Sequence, residues 1–183
     1  MAAPVGGPAT YTVRMTTSSP GTARDADRPR QISSVPQAQL TAWRSFLEAH
    51  ARTTDLLARE LKEAEGTALT WYDVLVQLSE ADGHRLRMQE LAERVLLSKS
   101  GLTRLIDRME RHDLVHRSAC PSDRRGTFAE LSPEGLAMLR KAAPTHLRGV
   151  REHFAELLDD EEAAILTELL GRIADAATMA DID

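Results

Sequence analysis

Apolar residues recur every three or four positions along most of this chain, beginning at Leu40. Over residues 40–64 they form one unbroken stripe, which predicts a single amphipathic helix ending near Gly66. The stripe is narrow, and a helix of this length is longer than a lone small domain needs. The pattern therefore predicts that this helix packs against a partner helix.

Three shorter amphipathic helices are predicted next. Thr70 is expected to cap the first, with Asp73 as the reciprocal acid, and residues 81–83 to form a turn before an extended piece at 84–87. The second covers residues 88–97, and the third begins at a Ser98 cap and runs to about His112. Their expected core faces are Val74, Leu75 and Leu78; Leu91, Ala92 and Val95; and Leu102, Leu105, Ile106 and Met109.

The period then changes to that of strands and back to that of helices. Residues 114–119 and 127–131 are predicted to be short strands joined by a hairpin loop at 120–126. Ser132 followed by proline predicts the start of another helix, which Pro144 should kink. A last helix is predicted from Asp159. The apolar stripes of these two helices are Leu136, Leu139, Ala143, Leu147, Val150 and Phe154, and then Leu158, Ile165, Leu166, Leu169, Leu170 and Ile173.

These elements predict a mainly α fold with a small β-hairpin wing. Residues 70–131 form a winged helix-turn-helix, and residues 37–66 and 132–178 supply terminal helices for a dimerisation bundle. Leu and Ala carry most of the 42% hydrophobic content, because only 4% of residues are aromatic, and this favours helices. Residues 1–36 are rich in Pro, Gly, Ser and Thr without an apolar period, which predicts a disordered tail.

Charge is distributed unevenly along the chain. The net charge of −5 argues against a nucleic-acid partner by itself. However, residues 98–126 hold seven basic groups against four acidic ones, a net of +3, whereas residues 156–183 hold nine acids against one arginine, a net of −8. Because DNA responds to the local field at a docking surface, the basic segment is a candidate interface.

Double-stranded DNA is the partner that the helix pair and the hairpin favour. A recognition helix places its N-terminal polar residues at base edges in the major groove, and arginines at a wing tip enter the narrow minor groove. The alternative is a winged-helix module that docks a protein without touching DNA. The candidate DNA contacts are Ser98, Lys99, Ser100, Thr103, Arg104 and Arg108 on the helix, and Arg124 and Arg125 on the wing, oriented by Asp123.

The chain resembles the multiple-antibiotic-resistance regulator (MarR) family of bacterial transcription factors. The resemblance covers residues 37–178. The family's wing signature, Asp-x-Arg followed after five residues by Leu-Thr and then glycine, is matched except that Ser132 replaces the threonine. One departure is Asp113, where the family usually has a glycine that often has positive φ. The matching residues are Leu91-Ala92, Ser98, Thr103-Arg104, 114–117, Asp123-Arg124-Arg125-Gly126, Leu131-Ser132 and Gly135.

The resemblance implies a homodimeric regulator, expected to be a repressor, that addresses a pseudo-palindromic operator. It also implies release from DNA by a small phenolic or acidic effector bound between the dimer helices and the winged lobe. Trp43, Phe46, His50 and Tyr72 could line that pocket. The alternative is that Trp43 and Phe46 belong to the dimer core.

Cys120 is the single cysteine, so no intramolecular disulfide is expected. Neighbouring arginines could favour its thiolate and make it a redox switch, although it could equally be a small residue at a strand end. The His112, His116 and Cys120 spacing is weak support for a metal site, and no metal or cofactor is expected. No catalytic motif, signal peptide or membrane span is found, so a cytoplasmic protein without enzymatic activity is expected.

Overall fold

The computed structural model describes residues 35–120 and 123–180, with backbone alone at 120, 123–125, 179 and 180. The tail predicted at residues 1–36 lies almost entirely outside this part. By contacts the chain divides into residues 1–40 and 41–183, and the described residues of the first unit supply the opening turn of α1. The helices are α1 (Gln37–Glu65), α2 (Leu69–Glu80), α3 (Met88–Arg94), α4 (Lys99–Glu110), α5 (Pro133–His153) and α6 (Asp160–Ala180).

The described strands are β1 (Arg85–Arg87), β2 (Val115–Cys120) and β3 (Asp123–Leu131), and they form an antiparallel sheet in the order β1-β3-β2. The extended piece predicted before α3 is therefore a strand of the wing sheet, and it pairs Leu86 with Ala129. Both of those side chains are buried because they face the helices. The wing is anchored by a third strand that the hairpin prediction did not include.

The core of residues 41–183 lies where α2, α3 and α4 pack against the sheet and the first half of α5. All of the predicted core residues on α2 and α4 are buried, and so are Leu91 and Ala92 of α3, whereas Val95 is half-buried. α1 contributes only Leu61 to this core, and α6 has no buried residue among those whose side chains are described. The long terminal helices therefore leave most of their apolar surface uncovered within one chain.

Several predicted boundaries are wrong. Thr70 does not cap α2, because Ala68 takes the extended N-cap conformation and its carbonyl accepts hydrogen bonds from the amides of Trp71 and Tyr72. α3 ends at Arg94 rather than 97, since Leu96 turns the chain with φ of 53° and is 90% exposed. α4 ends at Glu110 rather than His112. Most of the predicted 120–126 loop is strand, because β3 begins at Asp123.

Other sequence predictions at helix starts are confirmed. Ser132 caps α5 by accepting a hydrogen bond from the Gly135 amide at 2.9 Å, with proline at the first helical position. Asp159 and Glu162 form reciprocal side-chain to backbone bonds of 2.8 and 3.0 Å before α6.

α5 runs as one helix through Pro144. Within one chain α5 buries Gly135, Leu139, Ala142, Thr145 and Gly149, so the predicted stripe is only partly buried and its members Leu147 and Phe154 are exposed.

Gly135 marks the junction where α5 crosses the turn after α4. Asp113 has φ of 57°, in agreement with the expected positive φ. The Ser132 hydroxyl donates to the Asp113 carbonyl at 2.5 Å, and the Ser132 amide donates to the Leu114 carbonyl at 3.2 Å. A Cβ on Gly135 would lie 2.1 Å from the Leu114 oxygen, so the close approach of these two backbones requires glycine.

Candidate nucleic-acid interface

α3 and α4 form a helix pair whose angle is fixed by apolar contacts and by a short turn. The Leu97 amide donates to the Ala92 carbonyl at 2.9 Å, which closes the turn after α3. Ser98 then caps α4, accepting a hydrogen bond from the Gly101 amide at 3.1 Å as the sequence predicted. Leu102 and Ile106 are fully buried below. The opposite face of α4 is therefore held toward solvent.

Two parallel rows of polar side chains lie on that exposed face. Ser100, Arg104 and Arg108 are spaced four residues apart and form one row, and Lys99 and Thr103 begin the row beside it. The side chains of Arg104 and Arg108 are exposed and form no hydrogen bond or ion pair with any described residue. Extended, unpaired guanidiniums on the outer face of a helix can donate to acceptors on a bound molecule.

Three members of the predicted polar set already have local partners. The Ser98 oxygen accepts the cap hydrogen bond, and the Ser98 and Ser100 hydroxyls lie 3.3 Å apart. The Thr103 hydroxyl donates to the Lys99 carbonyl at 2.8 Å. These hydroxyls are oriented by the helix, and each keeps acceptor capacity for a second partner.

Arg117 of β2 joins the wing to α4, a role that the sequence analysis missed. Its guanidinium forms ion pairs with Asp107 at 2.7 Å and with Glu110, and donates to the Thr103 carbonyl at 3.2 Å. The Arg117 amide also donates to the Glu110 carboxylate at 2.9 Å. Because these partners are 7 to 14 residues away, no local sequence pattern could have identified the clamp.

The predicted wing residues lie at the start of β3, where the backbone pairs Asp123 with Cys120 across the hairpin. The side chains of Asp123, Arg124, Arg125 and Cys120 fall outside the described part of the structure. The assignment of Arg124 and Arg125 to the minor groove, with Asp123 as orienter, and the redox role of Cys120 both remain predictions.

A second polar network covers the outer face of the sheet. Glu130 accepts hydrogen bonds from Ser118 and from His116, the latter at 3.0 Å, and lies 3.7 Å from Arg85. The Ser118 hydroxyl, with the help of His116 and Arg85, holds the pKa of Glu130 below its ordinary value. The wing strands are thereby joined by polar contacts outside and by apolar packing inside.

Arg85 and Arg87 of β1 both lie over the ring of Phe128 in β3, with guanidinium carbons 5.0 and 5.6 Å from its centroid. The two arginines are two residues apart, so the strand places them on the same face of the sheet. The sequence analysis placed this segment in an extended piece but assigned no function to its arginines. Cation–π stacking of this kind orients a guanidinium over the ring.

The weak metal hypothesis for the two histidines finds no support in their contacts. The His112 ring packs on Trp71 with centroids 5.0 Å apart, and His116 bonds Glu130. No cluster of three potential metal-ligating side chains occurs within residues 35–119 and 126–178, where side chains are described. None of the described helices has the length and apolarity that a membrane span requires.

The four candidate effector residues are divided between two places in one chain. Trp43 and Phe46 are exposed on α1, where Phe46 stacks between Trp43 and His50 at 6.0 and 6.4 Å. Tyr72 is instead buried on α2, with its ring 4.4 Å from that of His146 on α5. A cavity of about 630 Å³ is lined by Tyr72 and His146 but by none of the three α1 residues.

Titratable groups around that cavity are perturbed by burial. Burial raises the pKa of Tyr72 and lowers that of His146, whose Nδ1 is enclosed without a hydrogen-bond partner in the described structure. Asp73 keeps an exposed edge, yet protein atoms around its carboxyl desolvate it and raise its pKa to about 6. A neutral imidazole beside a buried phenol is suited to hydrogen-bonding a small polar ligand.

Comparison with known proteins places this architecture among transcription regulators. The profile of the MarR family matches residues 65–126. The crystal structure of AbsC, a MarR family transcriptional regulator from Streptomyces coelicolor, is 41% identical with a TM-score of 0.74, and the similarity covers 79% of this chain and 97% of AbsC. Sco3205 from the same organism, solved in complex with DNA, is 35% identical with a TM-score of 0.74, over 79% of this chain and 94% of that one.

A curated relative gives a shorter match. The HTH-type transcriptional regulator MhqR of Bacillus subtilis is 33% identical over 86 residues, which are 47% of this chain and 59% of MhqR. The chain therefore matches little more than half the length of that relative, in contrast to the nearly full coverage of the two Streptomyces structures.

Proposed function

This chain belongs to the MarR family of transcriptional regulators, and from that membership we propose that it binds duplex DNA sequence-specifically as a homodimer and represses transcription from a pseudo-palindromic operator. The proposed role is binding rather than catalysis, which agrees with the lack of any catalytic motif in the sequence. Because the proposed binding partner is bacterial DNA, the proposed site of action is the cytoplasm.

One observation carries the DNA-binding proposal. α4 is capped by Ser98, anchored through a fully buried apolar face, and presents the exposed row of Ser100, Arg104 and Arg108 on its outer face. A rigid helix with long donors near its N-terminal half fits the major groove, where arginine can bond guanine through two acceptors. The family resemblance assigns the same helix to DNA. We therefore propose Arg104 as a base contact and Arg108 as a phosphate contact.

The homodimer is supported by apolar faces that one chain leaves uncovered. Ile165, Leu169 and Ile173 lie on one side of α6 and are 52%, 42% and 57% exposed. Trp43 on α1 and Phe154 after α5 are also about half exposed. Contiguous apolar surface of this kind is typical of an interface between subunits, and the terminal helices that carry it match the predicted dimerisation bundle.

The DNA-binding proposal is tested by fluorescence anisotropy with a duplex selected by the protein from a random-sequence pool. Arg104→Ala should weaken binding by roughly 1–3 kcal/mol and relax the base preference at one position of each half-site. Arg52→Ala is the matched control, because the one polar contact of Arg52 within the described part of the chain is an exposed ion pair with Glu48 on α1. Binding of the variant with wild-type affinity and preference would remove Arg104 from the interface.

The dimer is tested by sedimentation equilibrium. Ile165→Asp would bury a charge in the proposed interface and should convert the dimer to monomers, whereas Thr167→Asp, on the opposite side of α6, should not. A wild-type protein that is strictly monomeric and indifferent to duplex DNA at low ionic strength would refute the proposed function. A protein-docking module would instead bind DNA weakly or not at all, without the steep salt dependence of phosphate contacts.

We also propose that a small phenolic or acidic effector occupies the cavity beside Tyr72 and His146. The observation that favours this site is the enclosed His146 Nδ1, which has no hydrogen-bond partner among the described residues, next to a buried phenol. Salicylate is the probe. At a salicylate concentration that releases the wild-type protein from the selected duplex, the His146→Leu variant should stay bound. Equal release from both proteins would place the effector elsewhere, for instance near Trp43 and Phe46.

A further inference from the structure

A cleft of about 530 Å³ lies between α4 and the wing strands. Its walls come from five elements: Arg87 of β1, Met88 and Gln89 of α3, Lys99, Thr103 and Asp107 of α4, Arg117 of β2, and Gly126 and Thr127 of β3. Three of these side chains are cations and one is a carboxylate, and two threonines and a glutamine also line the space. The lining is therefore positive in sum and rich in hydrogen-bonding groups.

Among the described residues that line the cleft, the one carboxylate is already paired within the protein. Asp107 pairs with Arg117 at 2.7 Å, and the same guanidinium holds the Thr103 carbonyl. This clamp forms a fixed floor between α4 and β2, so the cleft does not depend on a ligand for its shape. An anion entering it would meet Lys99 on one wall and Arg87 on the other.

The occupant follows from the geometry of the duplex. If α4 lies in the major groove and the wing reaches the adjacent minor groove, the sugar-phosphate strand that separates those two grooves must pass between α4 and the wing. The cleft is the space between them. We propose that one sugar-phosphate strand of the operator lies in this cleft and that Arg87 donates hydrogen bonds to its phosphate, opposite Lys99.

Arg87 is placed for this contact by the sheet. Its register partner is Phe128, and its guanidinium lies 5.6 Å from the centroid of that ring. Arg85 lies over the same ring at 5.0 Å but is drawn toward Glu130 at 3.7 Å and does not line the cleft. The two arginines thus share a strand, a face and an aromatic partner, and they differ in access to the cleft.

This inference rests on the proposed function, and the slope of log affinity against log salt concentration tests it separately. Each phosphate contact contributes about 0.9 to that slope on B-form DNA, and a dimer contains two clefts. With a mixed-sequence 40-base-pair duplex and with the selected operator, Arg87→Gln should reduce the slope by about 2 and the affinity by roughly tenfold or more. Arg87→Lys keeps the charge and should keep most of the slope.

Arg85→Gln is the matched control and should retain the wild-type slope. Arg87 contacts a phosphate only if its Gln variant loses affinity for both duplexes in proportion, because backbone contacts carry no base information. A wild-type slope for Arg87→Gln, or an equal loss for Arg85→Gln, would overturn the inference. Failure of the wild-type protein to bind either duplex would instead refute the proposed function itself.

Discussion

Replacing Gly135 by alanine tests the packing between the winged lobe and α5. The added Cβ would lie 2.1 Å from the Leu114 carbonyl oxygen and 2.9 Å from Cδ1 of Leu131. The first neighbour is backbone, held between β2 and the end of α4, so it cannot rotate away as a side chain could. Relief of the overlap must move α5 or the turn at Asp113.

The size of the effect can be worked from these contacts. Overpacking of a rigid site costs about 1–3 kcal/mol, and the clash falls at the upper end because backbone must shift. The same movement would break the hydrogen bond from the Ser132 amide to the Leu114 carbonyl, which contributes about 1 kcal/mol. The better helix propensity of alanine returns up to about 1 kcal/mol. The expected loss in free energy of unfolding is about 2–3 kcal/mol.

Urea denaturation measures this loss in the free energy of unfolding. The protein concentration is kept fixed, because the stability of a dimer depends on it. Gly149→Ala is the matched control on the same helix. Its Cβ would meet side-chain ends rather than backbone, namely Cδ2 of Leu57 and the Glu60 carboxylate that is paired with His153, and these can shift more easily than a backbone carbonyl, so the expected loss is smaller, about 1 kcal/mol. A Gly135→Ala variant as stable as the wild type would show that the α5 start can shift freely, and the proposed tight junction would be wrong.

Three further predictions concern the helix cap, the partly desolvated carboxyl of Asp73 and the wing clamp. Ser98→Ala should lower the free energy of unfolding by about 1 kcal/mol, whereas Ser98→Asp should preserve it, because aspartate can also cap the helix. Equal losses for the two variants in urea titrations would argue against the cap. In the folded protein the pKa of Asp73 is raised to about 6, so folding favours its protonated carboxyl. The stability that this protonation supplies is fully present below pH 3.8 and is lost as the pH rises through 6. Asp73→Asn should therefore stabilise the protein at pH 8 by up to about 1 kcal/mol, a value discounted because the side chain is partly exposed. Near pH 3.5 the same substitution should leave the stability unchanged. An equal gain in stability at both pH values would contradict this prediction. Arg117→Met should lower the free energy of unfolding by about 1–2 kcal/mol and weaken DNA binding. Arg94→Met breaks an ion pair in which the arginine is more exposed and should change the stability by under about 0.5 kcal/mol. Similar losses for the two variants would show that the Arg117 contacts contribute no more than a surface ion pair.

The sequence alone was sufficient for elements with a strong local signal. The core face of α4 and the Ser98 and Ser132 caps were predicted residue by residue, because a 3.6-residue apolar period and a hydroxyl before a helix are recorded in adjacent positions. The winged helix-turn-helix class followed from the order of these elements, and the similarity to AbsC and Sco3205 confirms that class.

Boundaries were less accurate where local chemistry competed with packing. Thr70 has the chemistry of a cap, yet the N-cap of α2 is Ala68, two residues earlier, which offers no side-chain cap bond. The hairpin loop was predicted too long, because Pro, Ser, Asp and Gly favour turns in isolation, whereas pairing between β2 and β3 extends the strands to Asp123. A ladder of backbone bonds overrides such preferences, and it depends on the other strand.

What the sequence determined by itself is the set of faces: which side of each helix is apolar, which side of α4 is polar, and where the basic charge lies. Only the tertiary structure decided which faces meet. It brought Arg117 to Asp107 and Glu110, set Arg85 and Arg87 on Phe128, and separated Tyr72 from Trp43. Those contacts join residues far apart in the chain, and their geometry depends on the crossing of helices and the register of strands, which no local pattern encodes.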